Sequence, residues 1–156
     1  ALPFALMNGV LMHNRYLLLA LFILLWVNDS GAYIVGSLTA KLPKGNHKMF
    51  PRVSPAKSWE GLIGGLVVSL LAGYVFYRIG WTAELGLANS LWFAAFGAVF
   101  GTLGDLMESL LKRTLGVKDS GKFMPGHGGV LDRFDSLMLA TPVLYFLFVY
   151  LANYVY

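Results

Sequence analysis

At 156 residues, with 57% hydrophobic and only 13% charged and a mean hydropathy of +0.64, the chain is too apolar for an ordinary soluble domain, and its natural solvent is a membrane. A net charge of +4 points to nucleic acid only where the cations form a solvated patch; here they sit between long apolar runs, which excludes that class of partner. The absence of cysteine removes disulfides, thiolate nucleophiles and zinc–thiolate sites from consideration.

A membrane-spanning helix needs about 20 mostly apolar residues. Residues 2–12 are apolar but too short to span, and the start at Ala1 has neither an initiator Met nor the basic start of a secretory signal. Residues 1–156 are therefore expected to be a single membrane-embedded domain, a fragment of a longer chain with further N-terminal helices. Residues 16–40 form the first span, interrupted only by Asn28, Asp29 and Ser30. Ser54 is placed to cap the next helix, with Pro55 at its first position. Residues 61–77 of that helix carry no charge, and Trp59 and Trp81 stand ~33 Å apart along a helix, the spacing of an interfacial aromatic belt. Residues 85–104 and 136–156 are also uncharged and long enough to cross. The expected fold is all-α and polytopic, with about four transmembrane helices.

Two connections hold most of the cations: Lys41, Lys44, Lys48, Arg52 and Lys57 in one, and Lys112, Arg113, Lys118 and Lys122 in the other. With four spans these connections share a side, and the excess of Lys and Arg makes it the cytoplasmic one. Gly61, Gly64 and Gly65, and again Gly97, Gly101 and Gly104, recur at helical spacing, a pattern for close helix contact rather than chemistry.

Five carboxylates lie in or beside the apolar runs: Asp29, Asp105, Glu108, Asp132 and Asp135. An acid at a helix centre costs on the order of 3 kcal/mol on insertion scales, so such residues face a polar cavity, a partner or an ion. Asp105, Glu108, Ser109 and Lys112 share one helix face, Asp132 and Asp135 another, and Asp29, Tyr33 and Gly36 a third. Glu108 has Lys112 at i+4 as a structural partner. For Asp105 and Asp132 the nearby cations lie mostly at the loops rather than beside them, which favours an ion. Two acids on facing helices suffice for Mg²⁺, with Asp135 or Asp29 contributing to a second cation. Gly126, Gly128 and Gly129 let backbone amides approach an anion, and a helix beginning near Gly129 aims its positive end at the same loop. Lys118, Lys122 and His127 add charge there. Lys57, on the same aqueous side, offers a second substrate contact.

Three stretches carry a resemblance. Ser109-Leu-Leu-Lys112-Arg113, Lys118-Asp119, Pro125-Gly-His127-Gly128-Gly129 and Asp132-Arg133-Phe-Asp135 together resemble the signature of the phosphatidate cytidylyltransferases. Asp29-Ser-Gly-Ala-Tyr33-Ile-Val-Gly36 and Ser54-Pro-Ala-Lys57-Ser-Trp-Glu60-Gly61 stand upstream in the family's order. Residues 37–50 depart from the pattern, being longer and more basic. The resemblance implies transfer of CMP from CTP to phosphatidate, magnesium-dependent, in phospholipid synthesis at the bacterial inner membrane, with the active site open to the cytoplasm. It also implies a homodimer. The catalytic set is then Asp105, Asp132, Asp135, Lys112 and Arg133. Substrate is held by Lys57, Ser109, Arg113, Lys118, Lys122, His127, Gly128 and Gly129, and metal by Asp105, Asp132, Asp135 and Asp29. Two other readings compete: a CTP-dependent polyprenol or phytol kinase, and a cation transporter, the latter without the internal repeat that many such folds show.

Overall fold

The computed structural model describes residues 2–43, 45–116 and 136–147, and within them the apolar runs are helices. In chain order these are α1 (Leu2–His13), α2 (Arg15–Ala40), a two-stranded ribbon of β1 (Lys48–Phe50) and β2 (Ser54–Ser58), α3 (Trp59–Arg78), a 3₁₀ turn (Ala83–Leu85) and α4 (Gly86–Thr114), followed by α5 (Ser136–Leu147). Three stretches, Arg15–Ala40, Trp59–Arg78 and Ala83–Thr114, are long and apolar enough to cross a membrane. The chain is a polytopic membrane protein of mainly helical fold. Of the fourth predicted span, α5 is the described part; residues 148–156 lie outside the described residues.

One expected boundary is wrong. Ser54 and Pro55 do not start α3: they belong to β2, which pairs antiparallel with β1 through Lys48–Ser58 and Phe50–Ser54. The helix begins four residues later, where Ser58 accepts a hydrogen bond from the Gly61 amide at 3.1 Å, so Ser58 is the cap. Pro55 is tolerated because a two-stranded ribbon has only edge strands, where a missing N–H need not break a ladder. The ribbon's turn follows ordinary turn chemistry: the Val53 amide bonds the Phe50 carbonyl at 3.1 Å, with Pro51 at the second position, where its fixed φ is favourable.

Lipid removes the hydrophobic drive between helices, leaving close packing and interhelical hydrogen bonds to hold them. The glycines supply the first, as their spacing predicts. A Cβ on Gly65 would lie 2.9 Å from the Asn28 carbonyl oxygen and 2.7 Å from Asn28 Oδ1, and one on Gly61 would lie 2.9 Å from the Ala32 carbonyl oxygen; α2 and α3 therefore touch backbone to backbone. Gly73 admits Ala94 and Ser90 of α4, while Gly97 and Gly101 admit Leu24 and Leu25 of α2. Leu137, Ala140 and Leu144 of α5 complete the core formed by Leu21, Leu24, Leu25, Phe93 and Ala94.

The end of the bundle away from the ribbon is stitched by other means. Asn14 caps α2, its Oδ1 accepting from the Tyr16 amide at 2.8 Å, and Ser90 Oγ bonds Thr82 Oγ1 at 2.8 Å. Trp81 stacks on Phe76 at 5.5 Å and on Tyr16 at 6.1 Å between ring centroids.

Overpacking a tight contact costs about 1–3 kcal/mol. Gly65→Ala is therefore expected to lower the thermal midpoint of the detergent-solubilised protein, whereas Val67→Ala on the exposed face of α3 should leave it nearly unchanged. Equal midpoints would show that α2 and α3 do not meet at this distance.

Candidate functional site

The site is built where the ribbon folds back onto the helices. Just past its midpoint α2 carries Asp29 and, one turn later, Tyr33; the ribbon brings Met49, Ala56 and Lys57; α4 brings Thr102 and Asp105. Asp29, Tyr33, Met49, Ala56, Lys57, Thr102 and Asp105 line one cleft of about 200 Å³. α4 reaches this depth because it continues well past the uncharged run, to Thr114, so that Asp105 and Glu108 ride on the extension of a spanning helix.

Asp105 is not left to an ion alone. Lys57 Nζ forms an ion pair with Asp105 Oδ2 and donates to the Thr102 carbonyl at 3.2 Å, one turn earlier on the same helix. This corrects the expectation that cations near Asp105 stay at the loops: the pair joins residues 48 positions apart in sequence, through the ribbon's return toward α4. The two side chains are 21% and 35% exposed, so the cleft is polar and wet enough to hold both charges, and the pair is weaker than a fully buried one.

Beneath the pair lies a layer that sequence reasoning missed. Asn28, 1% exposed, donates from Nδ2 to Thr102 Oγ1 at 3.1 Å, and Thr102 Oγ1 donates in turn to the Ala98 carbonyl at 2.9 Å. An amide inside an apolar helix must find such a partner, and the one it finds fixes α2 against α4 at the level of Asp105. Asn28 interrupts an otherwise apolar run, and that was the available signal; Thr102 offered none.

The ribbon itself is clamped. Asn46 Nδ2 donates to the Gly36 carbonyl at 2.9 Å. Glu60 accepts the His47 amide at 3.0 Å and contacts its Nδ1 at 2.7 Å, and the Trp59 amide bonds the His47 carbonyl at 3.0 Å. Lys57 is thus delivered by a segment tied to both α2 and α3.

Of the remaining candidates, Lys112 takes the structural role anticipated for it, its Nζ 3.2 Å from Glu108 Oε2 on the same helix face. Ser109 and Arg113 lie farther along α4, and neither they nor Lys112 line the cleft. Lys118, Lys122, His127, Gly128, Gly129, Asp132, Arg133 and Asp135 lie outside the described residues. Among the described residues no group of three or more His, Asp or Glu side chains could hold a metal. A magnesium ion does not require one, since it is commonly bound by one or two carboxylates with water and phosphate oxygens. Asp29 and Asp105 on one cleft fit that demand.

The family model for the cytidylyltransferase family matches residues 2–151. The chain is 46% identical over 140 residues to a phosphatidate cytidylyltransferase of Haemophilus influenzae, an alignment covering 87% of this chain and 47% of that protein. Against the phosphatidate cytidylyltransferase of Staphylococcus haemolyticus it is 46% identical over 131 residues, 83% of this chain and 47% of the relative. Against that of Bacillus subtilis it is 45% identical over 125 residues, 80% and 44%. The chain spans about half the length of the curated relatives it matches.

Removing one member of a desolvated ion pair strands the other, whereas removing both is milder. Lys57→Met is expected to destabilise the folded protein by about 1–2 kcal/mol at this exposure, and Asp105→Leu added to it should recover part of the loss. Strict additivity in thermal or denaturant unfolding would mean that the two charges do not interact.

Proposed function

Since this chain belongs to the cytidylyltransferase family, we propose that its cleft is a phosphatidate cytidylyltransferase site, transferring CMP from CTP to phosphatidate and releasing pyrophosphate. The observation that carries the reading is the convergence of Asp29, Lys57 and Asp105 on one cleft. Two carboxylates and an ammonium at the rim of an apolar bundle suit a reaction between an anionic lipid and a polyanionic nucleotide.

The chemistry asks little of a general base. A phosphate monoester has its second pKa near 6 and is largely dianionic at pH 7, so a phosphatidate oxygen attacks the α-phosphorus of CTP without first losing a proton. The bond from that phosphorus to the pyrophosphate oxygen breaks, and pyrophosphate leaves as an anion. Rate then comes from positioning and charge neutralisation. Lys57, fixed by Asp105 and the Thr102 carbonyl, places a cation at the cleft without a rotamer search. Asp29 and Asp105 would hold Mg²⁺, which when bound supplies charge neutralisation to phosphate oxygens. Asp132 and Asp135 complete the proposed metal set, and a second cation shared by Asp135 or Asp29 belongs to the same proposal. Arg133 and Lys112 are assigned with these acids to the proposed catalytic set. Lys118, Lys122 and His127, with Gly128 and Gly129, form the proposed triphosphate loop, joined by Ser109 and Arg113 at its near end. The site opens to the cytoplasm, on the side where Lys and Arg concentrate, and the assembly is a homodimer.

Full-length protein supplied with labelled CTP and phosphatidate should yield a CMP-bearing lipid and pyrophosphate, with turnover lost on chelation of divalent metal. Release of CDP with a phosphorylated polyprenol or phytol would replace the proposal with a lipid kinase. Asp105→Asn should lower turnover at least 100-fold while the protein still inserts and folds; substantial magnesium-dependent activity in that variant would remove Asp105 from the reaction. Neutral substitutions of Lys118, Lys122 and His127 should raise the CTP requirement, and an unchanged requirement in all three would reduce their loop to structure.

A further inference from the structure

The connection between α2 and α3 is more than a carrier for Lys57. Residues 41–58 include Lys41, Lys44, Lys48, Arg52 and Lys57 and no carboxylate. Lys57 is spent on Asp105, but Lys41, Lys48 and Arg52 are exposed. In the same connection Leu42 and Phe50 are also exposed, at 58% and 48%. Strand alternation sets Lys48 and Phe50 on the side of β1 opposite Met49, and Met49 lines the cleft. One side of the ribbon therefore walls the site while the other presents cations interleaved with apolar groups.

Its level is set by the chain. Lys48 pairs with Ser58, and Ser58 is followed by Trp59, the half-exposed first residue of a spanning helix. The ribbon thus starts where α3 leaves the hydrocarbon, at headgroup depth. The clamps from Asn46 to Gly36 and from His47 to Glu60 hold it there. We propose that the outer face of this ribbon, Lys48, Phe50 and Arg52 with Lys41 and Leu42 beside it, is a docking surface for anionic phospholipid of the bilayer in which the protein sits. It concentrates anionic lipid at the mouth of the cleft. The charge complements phosphate headgroups, and Phe50 and Leu42 are shielded by the interfacial zone, a combination that a soluble triphosphate would not require. The benefit to turnover rests on the lipid-substrate reading above; the docking itself does not.

The test uses full-length protein in nanodiscs, on a cysteine-free background, with a polarity-sensitive fluorophore on Pro51→Cys at the ribbon's turn. Adding phosphatidylglycerol to phosphatidylcholine discs should shift the emission to the blue, and the shift should vanish in high salt and in the Lys48→Glu/Arg52→Glu double variant. Phe50→Ser should weaken it. In the activity arm, the double variant should raise the apparent KM for phosphatidate at least about fivefold, with kcat at saturating phosphatidate and KM for CTP unchanged. The same emission in neutral and anionic discs overturns the proposal, as does a rise in KM for CTP without one for phosphatidate. A wild-type protein without turnover would sink the cytidylyltransferase reading and leave the emission arm to decide the docking surface.

Discussion

Hydrocarbon offers neither a hydrogen-bond partner nor a counterion, so helices in it are held by contact distance and by the few polar groups they can satisfy between themselves. In this protein the decisive contact is between α2 and α3, where Gly61 and Gly65 allow the backbones to meet at Ala32 and Asn28. Everything at the site follows from that approach. It sets the ends of α2 and α3 close enough for an 18-residue connection, residues 41–58, to fold down as a ribbon instead of looping into water, and the ribbon's last residues then reach α4.

The polar groups are layered over this contact. Asn28 and Thr102 tie α2 to α4 at the floor of the cleft, and Lys57 and Asp105 tie the ribbon to α4 one turn farther along that helix. The lower bond is neutral and part-buried, and among the described residues it leaves Asn28 Oδ1 without a hydrogen-bond partner; the upper one is charged and partly wet, so the ion pair keeps water on its outer side. Charge is thereby brought to the edge of an apolar bundle without being buried in it.

Much of this was legible in the residues. Apolar length marked the three helices long enough to cross a membrane and the shorter apolar helix α5, and the helical spacing of Gly61, Gly64, Gly65, Gly97 and Gly101 marked packing faces, because both depend only on neighbours along one helix. The i, i+4 pair of Glu108 and Lys112 was legible for the same reason. The link from Lys57 to Asp105 was not, since no periodicity relates residues brought together by a ribbon's return. The start of α3 was misplaced because Ser54-Pro55 reads as a helix start from local residues alone, and only strand pairing with Lys48–Phe50 moves that start to Trp59. The stacking of Trp81 between Tyr16 and Phe76 was not legible, since it joins rings from different helices.

The backbone contact of Gly61 and Gly65 with Ala32 and Asn28 lies at the ribbon end of the bundle, on the wall of the cleft, and makes that end the fulcrum. The opposite end is joined by ring stacking of Trp81 on Tyr16 and Phe76 and by the bond from Ser90 to Thr82. A rigid tilt about the glycine contact grows with distance along the helix: over roughly 20 Å, about 4° moves the tip by about 1.4 Å. Displacements that the surrounding bilayer imposes on the helix ends are therefore largest away from the cleft and smallest beside it.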